Sequence, residues 1–125
     1  MIALDASALL AFLFRDEGHE AVTETLASAC ISTVNLAEVL GRFARDGTDP
    51  DRVAGRLTAT ALEVVPFSSV HATTCADLYR RTQALGLSLG DRVCLALAAE
   101  RRVAAMTADR AWSRLDLGID IRLTR

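Results

Sequence analysis

The sequence predicts an α/β fold in which a parallel sheet carries helices on both faces. Short apolar segments with strand character alternate with longer segments of helical periodicity, and this alternation is typical of β-α-β units. Residues 93–99 contain no polar side chain, and a helix that is apolar on every side belongs in the middle of a fold. With 125 residues, 51% of them hydrophobic, the chain is long enough for one domain with a sizeable core, which we assign to residues 1–125.

The first half of the chain predicts two short strands, each followed by helices. The strands lie at residues 2–4 and 30–32, and the helices lie around residues 8–13, 19–28, 36–43 and 50–61. Asp5 or Ser7 is placed to cap the first helix. The third helix is amphipathic because Leu36, Val39, Leu40 and Phe43 fall on one face.

The second half predicts three further strands, at residues 63–67, 103–106 and 120–123. A long helix begins at Ser68 or Ser69 and reaches Leu85, where Gly86 is a suitable stop. The apolar helix follows, and a short helix containing Trp112 separates the last two strands. The charges of the final strand place it at an edge of the sheet.

Composition excludes several classes of function. The net charge is −2, so the chain does not bind polyanions through bulk charge. All 14 basic residues are arginines, and the absence of lysine excludes Schiff-base chemistry and a P-loop. No apolar run approaches the ~18 residues of a membrane span, and no signal peptide precedes the first strand. We expect a cytoplasmic protein with no membrane association.

The cysteines also fit a reducing compartment. Cys30, Cys75 and Cys94 are odd in number, widely separated and surrounded by apolar residues. This pattern predicts small buried side chains, and it favours neither disulfides nor a zinc site.

Four acidic residues are predicted to reach one crevice, because sites in parallel sheets lie beyond the carboxyl ends of the strands. Asp5 and Asp109 each follow a strand. Glu38 lies about two turns into a helix that begins after a strand, and Asp91 lies in the first turn of the apolar helix. The hydroxyls of Ser7 and Thr107 are placed to orient these carboxylates.

Two of these acids also have an ordinary structural explanation. Ser88 followed three residues later by Asp91 is a capping-box pattern at a helix start. Glu38 and Arg42 have the spacing of an exposed ion pair on a helix surface. The isolated motifs leave both explanations open.

Clustered carboxylates indicate a divalent cation, because each would otherwise raise the pKa of its neighbours. Mg²⁺ and Mn²⁺ favour oxygen ligands, hold a phosphate and activate a water for in-line attack. No nucleophilic serine, cysteine or histidine arrangement competes with this reading, since neither His19 nor His71 has an acid partner at a suggestive spacing. The pattern therefore points to metal-assisted phosphate chemistry.

Taken together, four motifs resemble the PIN domain family, and the short loops resemble its VapC toxin branch. The motifs are Asp5-Ala6-Ser7, Glu38 in the third helix, Ser88-Leu89-Gly90-Asp91-Arg92 and Thr107-Ala108-Asp109. The resemblance covers essentially the whole chain. It implies a three-layer α/β/α sandwich with a short, mostly parallel sheet, and the activity of a Mg²⁺- or Mn²⁺-dependent endoribonuclease that serves as the toxin of a bacterial toxin–antitoxin pair.

The resemblance also implies roles for individual residues. The catalytic and metal-binding acids would be Asp5, Glu38, Asp91 and Asp109, supported by Ser7 and Thr107. Family members vary at the fourth acidic position. The expected partners are an RNA substrate, a cognate antitoxin that projects a basic side chain into the site, and a second copy of the chain in a homodimer.

Arginines are the natural candidates for attracting RNA to an acidic site. The candidates for a phosphate-binding rim are Arg42, Arg45, Arg80, Arg81, Arg92 and Arg110. Arg92 and Arg110 are preferred because each adjoins a site acid. No run of exposed aromatic residues suggests a surface for stacking bases.

Four other classes of protein fit the sequence less well than a ribonuclease does. A PIN-related nuclease acting on DNA would need long insertions, for which the chain has no room. A haloacid-dehalogenase-type enzyme would need an aspartate where Ser7 stands, and a receiver domain would need a lysine. A PIN-like module that only binds partners is disfavoured by the presence of all four acids.

Overall fold

A five-stranded sheet organises the computed structural model, which describes residues 1–125. Every strand pairing is parallel, and the strand order is β3-β2-β1-β4-β5. The strands are β1 (Ile2–Leu4), β2 (Ala29–Ser32), β3 (Glu63–Val65), β4 (Ala104–Thr107) and β5 (Ile121–Leu123). Because β1 is central, with Ala3 paired to Cys30 on β2 and to Ala105 on β4, its end lies between the ends of its neighbours.

Six α-helices connect the strands. They are α1 (Ala6–Phe14), α2 (His19–Thr25), α3 (Thr33–Arg45), α4 (Pro50–Thr58), α5 (Ser69–Thr82) and α6 (Leu89–Arg101). Short 3-10 turns cover Leu26–Ser28, Gln83–Leu85 and Arg110–Arg114. The predicted helix around Trp112 is therefore a 3-10 turn, and two predicted helix ends are 3-10 turns rather than α-helix.

The two faces of the sheet bury separate apolar clusters. Ile2 and Leu4 pack with helices α1 to α4, whereas Ala3 points to the opposite face and packs with α5 and α6. The alternation follows from the pleat, which sends successive side chains to opposite faces. The predicted three-layer α/β/α architecture with a parallel sheet is confirmed.

Helix α6 is the buried helix that the sequence predicts. Every side chain from Val93 to Ala98 is buried, and exposure returns only at Ala99 and Glu100. Cys30, Cys75 and Cys94 are free and buried, as predicted, and burial raises the pKa of the Cys94 thiol well above its ordinary value. No helix combines the length and the apolar character that crossing a membrane requires.

The carboxyl edge of the sheet brings the strand ends next to helix starts. Asp5, directly after β1, caps α1, and Ser32, at the end of β2, caps α3. Thr107 ends β4 beside β1. This edge is where the predicted acidic crevice should lie.

Candidate active site

Asp5 is the most buried acid at the carboxyl edge, with 3% of its surface exposed. Its Oδ1 accepts hydrogen bonds from the Ala8 backbone N–H at 2.8 Å and from Ser7 Oγ at 2.7 Å. Its Oδ2 accepts one from Thr107 Oγ1 at 2.6 Å. Asp5 is therefore both the cap of α1 and a carboxylate fixed from two sides.

Burial raises the pKa of Asp5 to about 6, and the negative charge of Asp91 adds to that rise. The hydrogen bonds from Thr107, Ala8 and Ser7 lower the pKa without offsetting the loss of solvation. No protein cation therefore compensates this carboxylate, although it stands at a site that is open to solvent on one side.

Ser7 and Thr107 have their hydroxyl groups oriented by the backbone between β4 and the 3-10 turn. Ser7 Oγ accepts a hydrogen bond from Ala108 N–H at 2.9 Å, and Thr107 Oγ1 accepts one from Asp109 N–H at 3.0 Å. The two hydroxyl oxygens lie 3.2 Å apart. Since each hydroxyl accepts from the backbone, its own proton is directed to Asp5.

Glu38 is exposed on α3 and does not pair with Arg42. Arg42 Nε instead donates to Asp46 Oδ2 at 2.9 Å, so the surface ion-pair explanation of Glu38 is wrong. Glu38 Oε1 accepts from Asn35 Nδ2 at 3.0 Å, and Oε2 has no hydrogen-bond partner within the protein.

Asn35 is a residue that the sequence analysis missed. It is 1% exposed, and its Nδ2 also donates to the Gly90 carbonyl at 2.9 Å. Both partners of Nδ2 are acceptors, which fixes the orientation of the amide. The buried Oδ1 has no protein partner. Its position three residues before Glu38, on the same helix face, was an available signal.

Gly90 allows α6 to approach α3. A Cβ at this position would lie 2.7 Å from Glu38 Cδ and closer still to Oε1. Only glycine therefore leaves room for the Glu38 carboxylate where it stands. A glycine in the first turn of a buried helix was the sequence signal.

Asp91 both caps helix α6 and lines the acidic pocket, which are the two roles that its sequence motif allowed. Its Oδ2 accepts from the Ser88 N–H at 2.9 Å, and Ser88 Oγ accepts from the Asp91 N–H at 3.2 Å, which makes a complete capping box. The other carboxylate oxygen, Oδ1, has no partner and the residue lines the acidic pocket. A capping role thus leaves half of the carboxylate available.

Asp109 has the same double role. Its Oδ1 accepts from the Ala111 N–H at 2.9 Å and caps the 3-10 turn, while Oδ2 has no partner within the protein. Asp109 also lines the pocket that contains the other three acids.

The acidic pocket has a volume of about 270 Å³ and no basic side chain in its lining. Its lining residues are Asp5, Ala6, Ser7, Leu10, Asn35, Glu38, Asp91 and Asp109. No three acidic, histidine or cysteine side chains stand close enough together to form a preassembled metal site. The donor set nevertheless fits a hard divalent cation, because it consists of carboxylate and amide oxygens, including the orphaned Oδ1 of Asn35.

The two preferred arginines point away from this pocket. Arg92 Nη1 donates to the Cys75 carbonyl at 3.0 Å, and its guanidinium lies 5.3 Å from the centre of the Tyr79 ring. Arg110 Nη1 donates to the Arg125 carbonyl at 2.7 Å. Adjacency in sequence to a site acid did not bring either side chain into the pocket lining.

His71 has an acid partner that lies 29 residues away in the sequence, a separation that the spacing did not suggest. Its Nε2 lies 2.7 Å from Glu100 Oε1 on α6, and its Nδ1 accepts from the Ser68 N–H at 3.2 Å. The pair joins α5 to α6, and neither residue lines the acidic pocket.

Comparison with known proteins places this architecture in a family. The PIN domain family model matches residues 2–117. The chain therefore belongs to the PIN domain family, as its motifs predicted. Comparison of the sequence with curated proteins finds no significant match.

Solved structures of toxin–antitoxin proteins share the fold. A chain of a toxin–antitoxin complex from Klebsiella pneumoniae is 19% identical, with a TM-score of 0.75 over 97% of this chain and 100% of that chain. A chain of DNA-bound VapBC from Salmonella typhimurium is 21% identical, with a TM-score of 0.74 over 99% and 98%. VapC20 of Mycobacterium tuberculosis, a sarcin–ricin loop cleaving toxin, is 16% identical, with a TM-score of 0.73 over 96% and 99%.

Proposed function

We propose that this PIN domain is a Mg²⁺- or Mn²⁺-dependent endoribonuclease that acts as the VapC-type toxin of a toxin–antitoxin pair. The observation that carries the proposal is the convergence of Asp5, Glu38, Asp91 and Asp109 on one pocket without a basic residue. Net negative charge at this density disfavours a bare phosphate and favours a phosphate brought in with a divalent cation.

In this proposal the four acids bind the cation. Glu38, Asp91 and Asp109 each offer one carboxylate oxygen that no protein group uses. When bound, Mg²⁺ or Mn²⁺ polarises the scissile phosphate and supplies a water of lowered pKa for in-line attack. Without a cation, Asp5 is a buried carboxylate with a raised pKa. A cation bound beside it would favour the ionised form, so the raised pKa fits this assignment.

The neutral polar residues are positioning groups in this proposal. Ser7 and Thr107 fix the Asp5 carboxylate from both sides, and Asn35 holds Glu38 against the start of α6. Preorganised carboxylates need no reorganisation when the substrate binds, which is how fixed polar groups lower a barrier.

We also infer a cognate antitoxin as the partner. The Klebsiella structure that shares this fold is a toxin–antitoxin complex, and the Salmonella structure is DNA-bound VapBC. A basic side chain from such a partner would neutralise the acidic pocket and displace the cation. A homodimer and a cytoplasmic location complete the proposal, and both rest on the family alone.

Cleavage of a labelled, mixed RNA pool with Mg²⁺, with Mn²⁺ and with EDTA tests the proposed function. We expect cuts that require metal, persist in an Asp116→Asn control and vanish in Asp91→Asn. Asp116 is exposed and lies outside the pocket, so its substitution removes a similar charge elsewhere. The thermal unfolding midpoint of each variant confirms that it is folded.

Three outcomes would contradict the proposal or its residue assignment. Absence of cleavage by folded, antitoxin-free protein would favour a module that only binds partners. Cleavage of a matched DNA pool without cleavage of RNA would favour a DNA nuclease. Cleavage that survives Asp91→Asn would refute the residue assignment.

A further inference from the structure

A second cavity of about 230 Å³ adjoins the acidic pocket. The two cavities share Ser7 and Leu10 in their linings, so they lie side by side. The second cavity is lined by Ser7, Leu10, Ala11, Phe14, Asp16, Glu17, Arg42, Ala108 and Arg125. It differs from the acidic pocket because it contains two arginines and an aromatic ring.

Arg42 presents a fixed guanidinium group to this cavity. Its Cζ lies 5.1 Å from the centre of the Phe14 ring, and Nε donates to Asp46 Oδ2 at 2.9 Å. Phe14 in turn stacks on Phe43, with ring centres 5.1 Å apart and an angle of 21° between the planes. Neither Nη atom of Arg42 has a hydrogen-bond partner within the protein. The guanidinium group therefore packs on one ring and still has donors to offer.

We propose that this second cavity binds the nucleobase next to the scissile phosphate, and that the base stacks on Arg42. Unstacked RNA bases stack on aromatic rings and on arginine guanidinium planes. Because consecutive nucleotides are covalently joined, a phosphate in the acidic pocket places one neighbouring base within reach of a cavity that shares two lining residues with it. The inference rests on the proposed ribonuclease function.

The acids of the second cavity decide which base fits. Asp16 and Glu17 are exposed carboxylates that accept hydrogen bonds and do not donate them at neutral pH. Guanine presents two adjacent donors on its Watson–Crick edge, whereas uracil presents one donor between two acceptors. Adenine and cytosine each offer a carboxylate one exocyclic amine, whereas guanine offers it two adjacent donors at once, so guanine is favoured and uracil is disfavoured.

Arg125 supplies the second positive group of the cavity. Its backbone carbonyl accepts a hydrogen bond from Arg110 Nη1 at 2.7 Å, which ties the segment after β5 to the turn that carries Asp109. A guanidinium here is suited to a phosphate of the substrate backbone.

Sequencing the ends of a cleaved, randomised RNA pool tests the base-binding cavity. Wild-type protein with Mg²⁺ should show a guanine preference at one position beside the cut. Arg42→Ala should flatten that preference and slow cleavage roughly tenfold, the scale on which one lost stacking contact acts. Arg52→Ala is the control, because Arg52 is exposed and lines neither the second cavity nor the acidic pocket.

Two further variants separate stacking from charge and identify the base contact. Arg42→Lys keeps the charge but loses the plane, so it should behave like Arg42→Ala. The Asp16→Asn, Glu17→Gln double variant should lose the guanine preference and retain cleavage. Unchanged thermal unfolding midpoints show that none of these effects comes from a misfolded protein.

The cleavage data distinguish failure of the proposed function from failure of the base-binding inference. If wild-type protein cuts no RNA, the proposed function fails. If wild-type protein cuts RNA and Arg42→Ala shows the same base profile, the cavity serves another ligand, such as a protein segment, and the inference is overturned. Full recovery by Arg42→Lys would also overturn it, because charge alone would then suffice.

Discussion

Thr107 Oγ1 lies 2.6 Å from Asp5 Oδ2, and this hydrogen bond joins residues 102 positions apart in the chain. The same hydroxyl accepts from the Asp109 N–H, so one oxygen links the first acid of the site to the loop that carries the last one. The parallel pairing of β1 with β4 creates this contact, because it places both strand ends at the same edge of the sheet.

Thr107→Val removes this hydroxyl at nearly constant shape. We expect a loss of about 2 kcal/mol in the free energy of unfolding, because a buried carboxylate oxygen and a backbone N–H each lose a partner. Cleavage of RNA should fall at least tenfold as the Asp5 carboxylate loses its fixed orientation. Denaturant unfolding and a cleavage time course measure the two effects.

Thr107→Ser is the control for this substitution, because it retains the hydroxyl and removes one methyl group. It should keep most of the activity. If the serine and valine variants lost activity equally, packing rather than the hydrogen bond to Asp5 would be responsible.

The pKa of Asp5 predicts how the stability of the metal-free protein depends on pH. Burial raises that pKa from 3.8 to about 6, so the folded state prefers the protonated acid. This contribution to stability is complete below pH 3.8 and is lost as the pH rises through about 6. The rise in pKa corresponds to on the order of 3 kcal/mol, since each pKa unit is about 1.4 kcal/mol.

Comparing wild type with Asp5→Asn isolates this effect from the other titrating groups. In EDTA, the stability difference in favour of the variant should grow between pH 4 and pH 7, because asparagine carries no charge to desolvate. Mg²⁺ at pH 7 should stabilise the wild type more than it stabilises the variant. The variant should also lose cleavage. Parallel pH profiles for the two proteins would contradict the role of Asp5.

The alternation of apolar segments predicted the fold, but not all element boundaries. Helix α4 ends at Thr58, short of residue 61, because Thr60 forms a turn instead. Thr60 Oγ1 donates to the Leu57 carbonyl at 2.6 Å and accepts from the Leu62 N–H at 3.2 Å. Such side-chain hydrogen bonds compete with the helix and leave no mark in the hydrophobic pattern.

The convergence of the four acids on one pocket could be predicted, because Asp5 and Asp109 follow strand ends, Asp91 lies at a helix start, and Glu38 lies in a helix that begins at a strand end. The sequence held only weak signals for Asn35 and Gly90, because their importance depends on a contact between α3 and α6 that joins residues 55 positions apart. The direction of Arg92 was equally hidden, since it depends on which face of α6 meets α5. Sequence position determines the edge on which a residue stands, whereas tertiary packing determines what its side chain contacts.

Asn35→Ala tests the link between the two helices. The Gly90 carbonyl would lose its buried donor, at a cost of about 1–3 kcal/mol in stability. Glu38 would lose the contact that orients it, and cleavage should fall at least tenfold. Unfolding and cleavage assays measure both quantities in the same preparation.

Asn35→Asp is the sharper version of this test. It replaces a donor by an acceptor that faces the Glu38 carboxylate and the Gly90 carbonyl, where the amide nitrogen now lies at 3.0 and 2.9 Å. We expect this variant to be less stable at pH 7 than Asn35→Ala, because two carboxylates would then face each other. Equal stability of the two variants at pH 7 would show that Asn35 only fills space.

Gly90→Ala tests whether the position of the Glu38 carboxylate matters for cleavage. A methyl group on Gly90 would lie 2.7 Å from Glu38 Cδ, in space that the Glu38 carboxylate fills. Glu38 would therefore have to move. We expect cleavage to fall at least tenfold while the protein remains folded.

Gly41→Ala is the matched control in α3, where a Cβ meets nothing within 4 Å. Alanine there should stabilise the helix by about 0.5–1 kcal/mol and leave cleavage unchanged. Equal activity of the two variants would mean that Glu38 acts from a different position than the structure shows.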